Sequence, residues 1–280
     1  MLPAPVLRRL AAYRFGYTQQ GRLFAFTREN GPGGPAVVVG RGLRMRVTPE
    51  FLPDLEFHFV ENGQSRDEMG AFIDFQRILP PDALLLDVGA HRGLFSLVHC
   101  ASGGARRAVL FEPSGSLADD ARALLQLNGF NHRADVRVCG IGERLEPRPI
   151  VEDALGFARA APPGSVSATV DFTTLDHEWR RLGTAPAIVK IDVEGAEAEV
   201  VRGADALLRE ERPIVFLELH LDELERRQES IERLLRPLTT QGYRCFDPSG
   251  RSLSIRSIAG SLRAIVRLVA TVRPFPARTP

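Results

Sequence analysis

Lysine is almost missing from this chain: of its 36 basic residues, 35 are arginine and only Lys190 is not. Solvated charge rarely needs a guanidinium in particular, so the skew speaks of a GC-rich coding sequence, and it leaves the one lysine conspicuous. Cysteine is scarce too. Cys100, Cys139 and Cys245 are widely spaced and match neither a disulfide framework nor a CxxC metal pattern, which predicts a reducing, cytoplasmic setting. Neither sign of charge is in excess: Lys+Arg 36 against Asp+Glu 35 leaves +1, with no bulk positive field to gather nucleic acid. No apolar run approaches the ~18 residues of a membrane span. The opening MLPAPVLRRLAAYRFGY lacks the apolar core of roughly 7–15 residues and the small-residue cleavage site that mark a secretory signal. No repeat at a period of roughly 20–50 residues is visible, which excludes solenoids. What remains is an ordinary globular composition, 44% hydrophobic and 25% charged over 280 residues, enough for one large domain with an N-terminal extension.

Residues 1–63 read as an irregular cap. Within it, Ala36–Val39 and Leu43–Val47 flank Gly40-Arg41-Gly42 as a hairpin. Ser65-Arg66-Asp67-Glu68 has the form of a capping box opening a helix to about Leu79, with Met69, Phe72, Ile73, Gln76 and Leu79 on one face. From there to about 257 the pattern alternates. Apolar runs at Ala83–Val88, Ala108–Phe111, Val136–Cys139, Ala187–Ile191 and Ile214–Leu219 predict strands, and helices are expected at about 93–101, 115–128, 195–209 and 221–240. Continuous apolar strands separated by helices belong to a mostly parallel α/β sheet. Residues 143–172, with Pro147, Pro149, Pro162, Pro163 and Gly164, break the rhythm as an insertion ending in a strand at Val166–Phe172. Two more strands are expected near Tyr243–Asp247 and Ser252–Ile255.

The first strand runs into Asp87-Val88-Gly89-Ala90-His91-Arg92-Gly93. A glycine turn before a helix N-terminus suits a ligand, because backbone approaches closely and amide N–H groups are free. The dinucleotide fingerprint is broken, since Asp87 and Arg92 stand at its first and third glycine positions. An acid there repels a pyrophosphate and suits a cationic or zwitterionic ligand such as S-adenosylmethionine; a purely structural turn remains the alternative. The next strand ends Phe111-Glu112-Pro113, placing an acid about 20 residues on, where it can accept ribose hydroxyls.

With Leu127-Asn128, Thr174-Leu175-Asp176 and Lys190-Ile191-Asp192-Val193-Glu194-Gly195-Ala196-Glu197, these motifs resemble the FkbM family of methyltransferases in order and spacing over about residues 65–247. The resemblance implies a Rossmann-like class I methyltransferase fold: a seven-stranded, mostly parallel sheet with one antiparallel strand, helices on both faces and here an N-terminal cap. It implies an S-adenosylmethionine-dependent enzyme methylating a hydroxyl of a sugar, glycolipid or polyketide-type molecule. Asp87, Gly89, Ala90, His91, Gly93, Glu112, Asn128 and Gly140 are then the expected donor-binding residues. Gly140 and Ile141 stand where many methyltransferases carry an acid for adenine, leaving backbone groups or Glu143 for that role. Transfer to nitrogen or a carboxylate, and a catalytically silent nucleotide-binding module, stay open.

An alcohol needs a base or a metal near the methyl. Strand alternation puts Lys190 with Asp192 and Glu218 with His220. His220 is the expected proton acceptor near neutral pH, Asp192 the holder of the acceptor hydroxyl, and Lys190 the group that keeps Asp192 ionised or stabilises an alkoxide; Glu194 joins them. Asp192, Glu218 and His220 also form a set able to hold Mg²⁺ or another divalent ion. Lys190 and Glu197 are alternatively an internal salt bridge, and Asp176 a helix-start residue beside a Thr173 or Thr174 cap. His58, His99, His132 and His177 are expected in core or surface roles. In residues 258–280, Ile258, Leu262, Ile265, Val266, Val269 and Val272 fall at helical spacing among arginines. That predicts a basic amphipathic helix lying on the domain, on a second subunit in a homodimer, or on a membrane.

Overall fold

The computed structural model describes residues 27–31, 34–39, 43–47, 51, 54–55, 58, 63–152, 158–160 and 168–276. The N-terminal hairpin forms as expected: β1 (Thr27–Gly31), β2 (Gly34–Val39) and β3 (Leu43–Arg46) make a small antiparallel sheet in which Val39 pairs with Leu43. The remaining calls within residues 1–63 lie largely outside the described residues. Met45, Val47, Phe51 and Leu55 are buried in the same core as the helices that follow.

Among the described residues the main sheet has eight strands, one more than the seven expected, because the short strand Ser252–Leu253 adds an antiparallel edge. β4 (Leu84–Val88), β5 (Arg107–Phe111), β6 (Ala134–Arg137), β11 (Ile188–Ile191), β12 (Ile214–His220), β13 (Arg244–Phe246), β14 (Ser252–Leu253) and β15 (Ile265–Thr271) stand in the order β14-β13-β15-β12-β11-β4-β5-β6. The five strands from β12 to β6 are parallel, and β15 runs antiparallel between β12 and β13. Strand order reverses direction between β4 and β11, so their C-terminal ends flank a topological switch point, where α/β sheets bind ligands.

Helices cover both faces. On one lie α1 (Gly63–Gln76), α2 (Leu94–Ala101) and α3 (Gly115–Leu127). On the other lie α5 (Glu197–Arg202), α6 (Asp205–Glu210) and α8 (Ile231–Thr240). Alternation sends Leu85, Ile188, Ile214, Phe216 and Val269 into the first layer, and Leu86, Val189, Val215, Leu217 and Leu268 into the second. A stack of edge-on rings, Phe95–Phe72–Phe216–Phe75 with centroids 5.0–5.6 Å apart, fills the first.

Three expectations need correction. The segments expected as single helices at 195–209 and 221–240 are each broken in two. Gly203 separates α5 from α6, its Cα pressed so closely on the Gly142 carbonyl that a side chain would overlap it. A turn with Gln228 at φ 57° separates α7 (Leu221–Arg226) from α8, which Ser230 caps. Second, α1 begins before Ser65, so Glu68 faces the sheet rather than closing a capping box. Third, the tail is a strand. Among its described residues only α9 (Ile255–Ala259) is helical, and Ile265–Thr271 becomes β15 inside the sheet. The run is apolar at almost every position and rich in β-branched residues, so it matches a helical stripe by accident while filling both faces of a strand. The membrane-lying helix therefore does not exist. Among the described residues no helix is long and apolar enough to cross a membrane.

The insertion is ordered where described. β7 (Gly140–Ile141), β8 (Glu146–Glu152), β9 (Ala158–Ala160) and β10 (Ala168–Thr173) form a second sheet, ordered β7-β10-β8-β9. α4 (Leu175–Leu182) follows, with Thr174 accepting from His177 N at 3.1 Å; Asp176 instead caps α6, accepting from Ala206 N and Leu207 N.

Candidate active site

At the C-terminal ends of the strands, one face of the sheet changes from hydrocarbon to charge. The same alternation that puts Leu85, Ile188 and Phe216 into the first core layer carries Asp87, Lys190, Asp192, Glu218 and His220 to that face one or two steps further on. Arg267 stands directly opposite Glu218 on β15, and Lys190 pairs with Asp87 across β11 and β4. Lys190 Nζ donates to Asp192 Oδ2 at 3.0 Å and lies 4.7 Å from the centre of the Phe95 ring. Arg267 donates to Glu218 Oε1 at 2.7 Å and to Glu68 Oε2, from α1, at 3.1 Å. His220 Nδ1 lies 2.7 Å from Glu197 Oε1, while Nε2 stands 3.5 Å from Glu194 Oε1, 3.8 Å from Glu218 Oε1 and 3.9 Å from Asp192 Oδ1.

Those neighbours set the protonation states. Burial alone would lower Lys190, but Asp192, then Asp87, Glu68 and Glu218, raise it above its ordinary value, so it stays an ammonium. Burial opposes ionisation of Asp192, yet Lys190 and then His220 hold its carboxyl below the usual range. His220 departs from expectation. Although burial lowers it, the bond to Glu197 and the charges of Asp192, Glu197 and Glu194 carry it up to about 9. It rests as an imidazolium at neutral pH and is a hydrogen-bond donor there, not the free base expected from its type. Glu218 is raised by burial and by Asp192 and Glu68.

A cavity of about 420 Å³ opens beside this cluster, within the ~300–1,000 Å³ of small-ligand pockets. Gly89, His91, Glu112, Gly140, Asp192 and Glu194 line it at the strand ends, and Arg148 and Phe172 of the insertion lie on its far side. Glu112 Oε2 accepts from His91 N at 2.7 Å and Oε1 from Ser114 N at 2.9 Å, while burial raises its carboxyl to about 7. Arg148 sits 4.8 Å over the Phe172 ring and pairs with Glu199, closing the insertion onto α5. Asp192 and Glu194 belong to both cavity and cluster.

Several sequence expectations change in this light. Asp87 does not line the cavity: it is 1% exposed, its Oδ2 accepts from Ser96 Oγ at 2.7 Å, and burial raises its pKa. The turn amides of Gly89 and Ala90 are not free for a ligand, because both donate to Phe111 O. Gly93 serves close packing against Leu110 and Ala121, at φ 77°. Asn128 binds Arg46, accepting from its N at 2.7 Å and donating to its O at 2.8 Å, so it ties the N-terminal sheet down and is not at the cavity. Glu143 pairs with Arg202 outside the cavity, and Lys190 pairs with Asp192 rather than Glu197. His58, expected without a role, lies edge-on to Phe95 near Lys190 and is neutral, lowered to about 3 by burial and then Lys190. Glu68 and Arg267 were not anticipated at all; 199 residues separate them, and the one local sign was a charge inside an apolar run.

The metal set comes together, with ligating atoms of Asp192, Glu218 and His220 within 4.8 Å of one another, but its chemistry does not fit a resident divalent ion. Lys190 already neutralises Asp192 and Arg267 already neutralises Glu218, so neither carboxylate brings uncompensated charge to a cation.

Gly89 is required by the switch point itself. At φ 70°, a Cβ would overlap the Asp192 carbonyl oxygen. Gly89→Ala therefore costs on the order of 3 kcal/mol from strain and displaced backbone. The checks are the urea midpoint, which falls, and ligand binding at the cavity, which weakens because Gly89 itself lines it; an unchanged midpoint contradicts the close approach.

A switch-point cavity on a sheet of this order, with antiparallel β15 inserted between β12 and β13 and the short β14 antiparallel at the edge, defines a Rossmann-like class I methyltransferase fold. A model of the methyltransferase FkbM domain matches residues 87–245, more than half of the chain. The protein belongs to the FkbM methyltransferase family. AMB antimetabolite synthetase AmbE of Pseudomonas aeruginosa is 39% identical over 101 residues, 36% of this chain and 4% of that relative's length, so only a small part of the synthetase is spanned. Among solved structures, methyltransferase FkbM of Methylobacillus flagellatus KT is similar at 15% identity and TM-score 0.44, over 79% of this chain and 59% of that one. An O-methyltransferase of Bacillus cereus in complex with SAH is similar at 11% identity and TM-score 0.42, over 79% and 86%. Glu68 and Arg267 lie outside the matched range.

Proposed function

We propose that the protein is an S-adenosylmethionine-dependent O-methyltransferase acting on a hydroxyl of a sugar, glycolipid or polyketide-type small molecule. The observation that carries this reading is the junction of cavity and charged cluster at Asp192, a donor-sized space opening directly onto an ionised carboxylate. The residues fit the donor: Glu112 at the tip of β5 is placed for ribose hydroxyls, and the carboxylates of Asp192 and Glu194 suit a positive centre. When bound, S-adenosylmethionine supplies an electrophilic methyl on a sulfonium. The chain's own work is alignment and proton handling. Asp192 Oδ1 and His220 Nε2 are too far apart, at 3.9 Å, for a direct bond, but one hydroxyl oxygen can bridge them. That hydroxyl donates to Asp192 Oδ1 and accepts from His220 Nε2–H, which leaves its second lone pair for the methyl. Asp192 takes the proton as the oxygen loses electron density, and Lys190 keeps that carboxylate ionised until then.

Calorimetry with S-adenosylhomocysteine tests the donor. The full chain should bind it, and Glu112→Ala should weaken binding by about tenfold or more, since hydrogen bonds to a charged group contribute ~1.5–3 kcal/mol. No heat and no thermal shift with the wild-type chain would overturn the reading.

A further inference from the structure

Glu197 is the most enclosed carboxylate of the cluster, with no exposed surface. Its Oε1 serves two partners, His220 Nδ1 at 2.7 Å and Gly195 N at 2.9 Å. Its Oε2 is buried with no hydrogen-bond partner among the described residues. A buried acid with a lone oxygen unsatisfied is expensive as a packing device. An acid in the first turn of α5 does gain from the helix dipole, but an exposed one gains that without burial.

The backbone beside it is unusual in the same place. Glu194 and Gly195 are successive residues in the left-handed region, at φ 52° and 98°, and a side chain at 195 would collide with Glu223 of α7. Gly195 N donates to Glu197 inside the turn, beside the backbone bond from Ala196 N to Val193 O at 3.3 Å. The turn in turn brings Glu194 Oε1 to 3.5 Å from the far nitrogen of the imidazole. One oxygen thus governs both a ring and the loop that faces it.

We infer that Glu197 is the positioning residue of the reactive end, fixing the His220 ring through Nδ1 so that Nε2–H points at Asp192 and Glu194, and fixing the Glu194–Gly195 turn with the same oxygen. This rests on the methyl-transfer reading for its purpose but not for its geometry. Around the ring stand Glu197 of α5, Asp192 and Glu194 of the turn after β11, and Glu218 of β12, with Lys190 of β11 and Arg267 of β15 behind those carboxylates. Removing one of the acids Glu197, Asp192 or Glu194 has a defined sign: His220 loses part of what keeps it protonated. The proton left on the ring once it is neutral should sit on Nδ1, where Glu197 accepts it.

The test is nitrogen NMR on the full chain carrying ¹⁵N-histidine, with His220 assigned through His220→Gln. In the wild type, His220 should titrate near 9 and keep its proton on Nδ1 above that pH. Glu197→Gln is nearly isosteric and keeps an acceptor for Gly195 N, so it should fold; its His220 midpoint should fall by roughly one to three pH units. Glu197→Leu should move the remaining proton towards Nε2, and Glu197→Asp should restore part of the wild-type titration. If Glu197→Leu does not fold, the Gln variant decides alone. An unchanged His220 midpoint in Glu197→Gln overturns the assignment. S-adenosylhomocysteine calorimetry on the same samples separates the two claims. Absent binding in the wild type removes the donor reading and leaves the Glu197–His220 coupling standing, whereas normal binding with an unshifted His220 removes only Glu197.

Discussion

Asp192→Ala lowers the rate of methyl transfer by roughly 10²–10⁴-fold, the usual contribution of a positioned proton acceptor, and leaves S-adenosylhomocysteine affinity within a few-fold of wild type. Asp192 is the carboxylate shared by cavity and cluster that is paired with Lys190, whose ammonium also lies against the Phe95 face. The loss should appear in kcat and in kcat/KM alike, as expected for an interaction made in the transition state. The pH dependence carries a sign. Asp192 is held below its ordinary range and His220 is held up to about 9, so both are in their working forms between about pH 6 and 8 and kcat at saturating donor should be level there. It should decline as His220 loses its proton near 9, since the imidazolium N–H then no longer holds the acceptor oxygen. A rate that instead climbs through pH 9 moves the proton-accepting role to His220, and full activity in Asp192→Ala rejects the arrangement.

Arg267→Leu is the largest expected loss of stability. The guanidinium lies between Glu68 and Glu218, all three side chains nearly enclosed, and stripping a cation from a buried group of this kind costs about 3–5 kcal/mol. Both carboxyls are already raised by burial, Glu68 against the pull of Arg267 and Glu218 further by Asp192 and Glu68. Without the arginine they rise more, so the folded chain binds more protons than the unfolded one above the ordinary carboxylate pKa. Stability then increases as pH falls. The loss measured in urea at pH 7.5 should therefore shrink at pH 5.5, and Glu218→Gln in the Leu background should recover part of it. A variant as stable as the wild type, or one that weakens further on acidification, contradicts the buried clamp.

Much of this architecture was legible without coordinates because its signals are local. Leu84–Val88 and Ile214–Leu219 are apolar runs of strand length, and the Asp87–Gly93 and Phe111–Pro113 turns announce where such strands end. The Lys190–Glu197 block marks the charged turn after β11 by composition alone. Where reading by periodicity failed, two patterns overlapped: Ile265–Thr271 fits a helical stripe only because nearly all of it is apolar, and the sheet had a vacancy beside β12 that the sequence does not display. Asn128 failed differently. Its place after α3 matched a donor-binding motif, but its amide is spent on Arg46, 82 residues away. Asp87 kept its position and lost its contact, since strand alternation aims it beneath the turn.

By itself the sequence determined the alternating sheet, the site of its switch point and the set of side chains at the strand ends, because strand period and turn chemistry act over a few neighbouring residues. Only the tertiary structure decided which of those groups meet and in what charge state. His220 becomes an imidazolium through Glu197, Asp192 and Glu194; Glu218 is neutralised by an arginine from the last strand; and Lys190 is retained as a buried ammonium by four acids. A pKa is a sum over everything within several ångströms, and folding, rather than chain order, chooses what is that close.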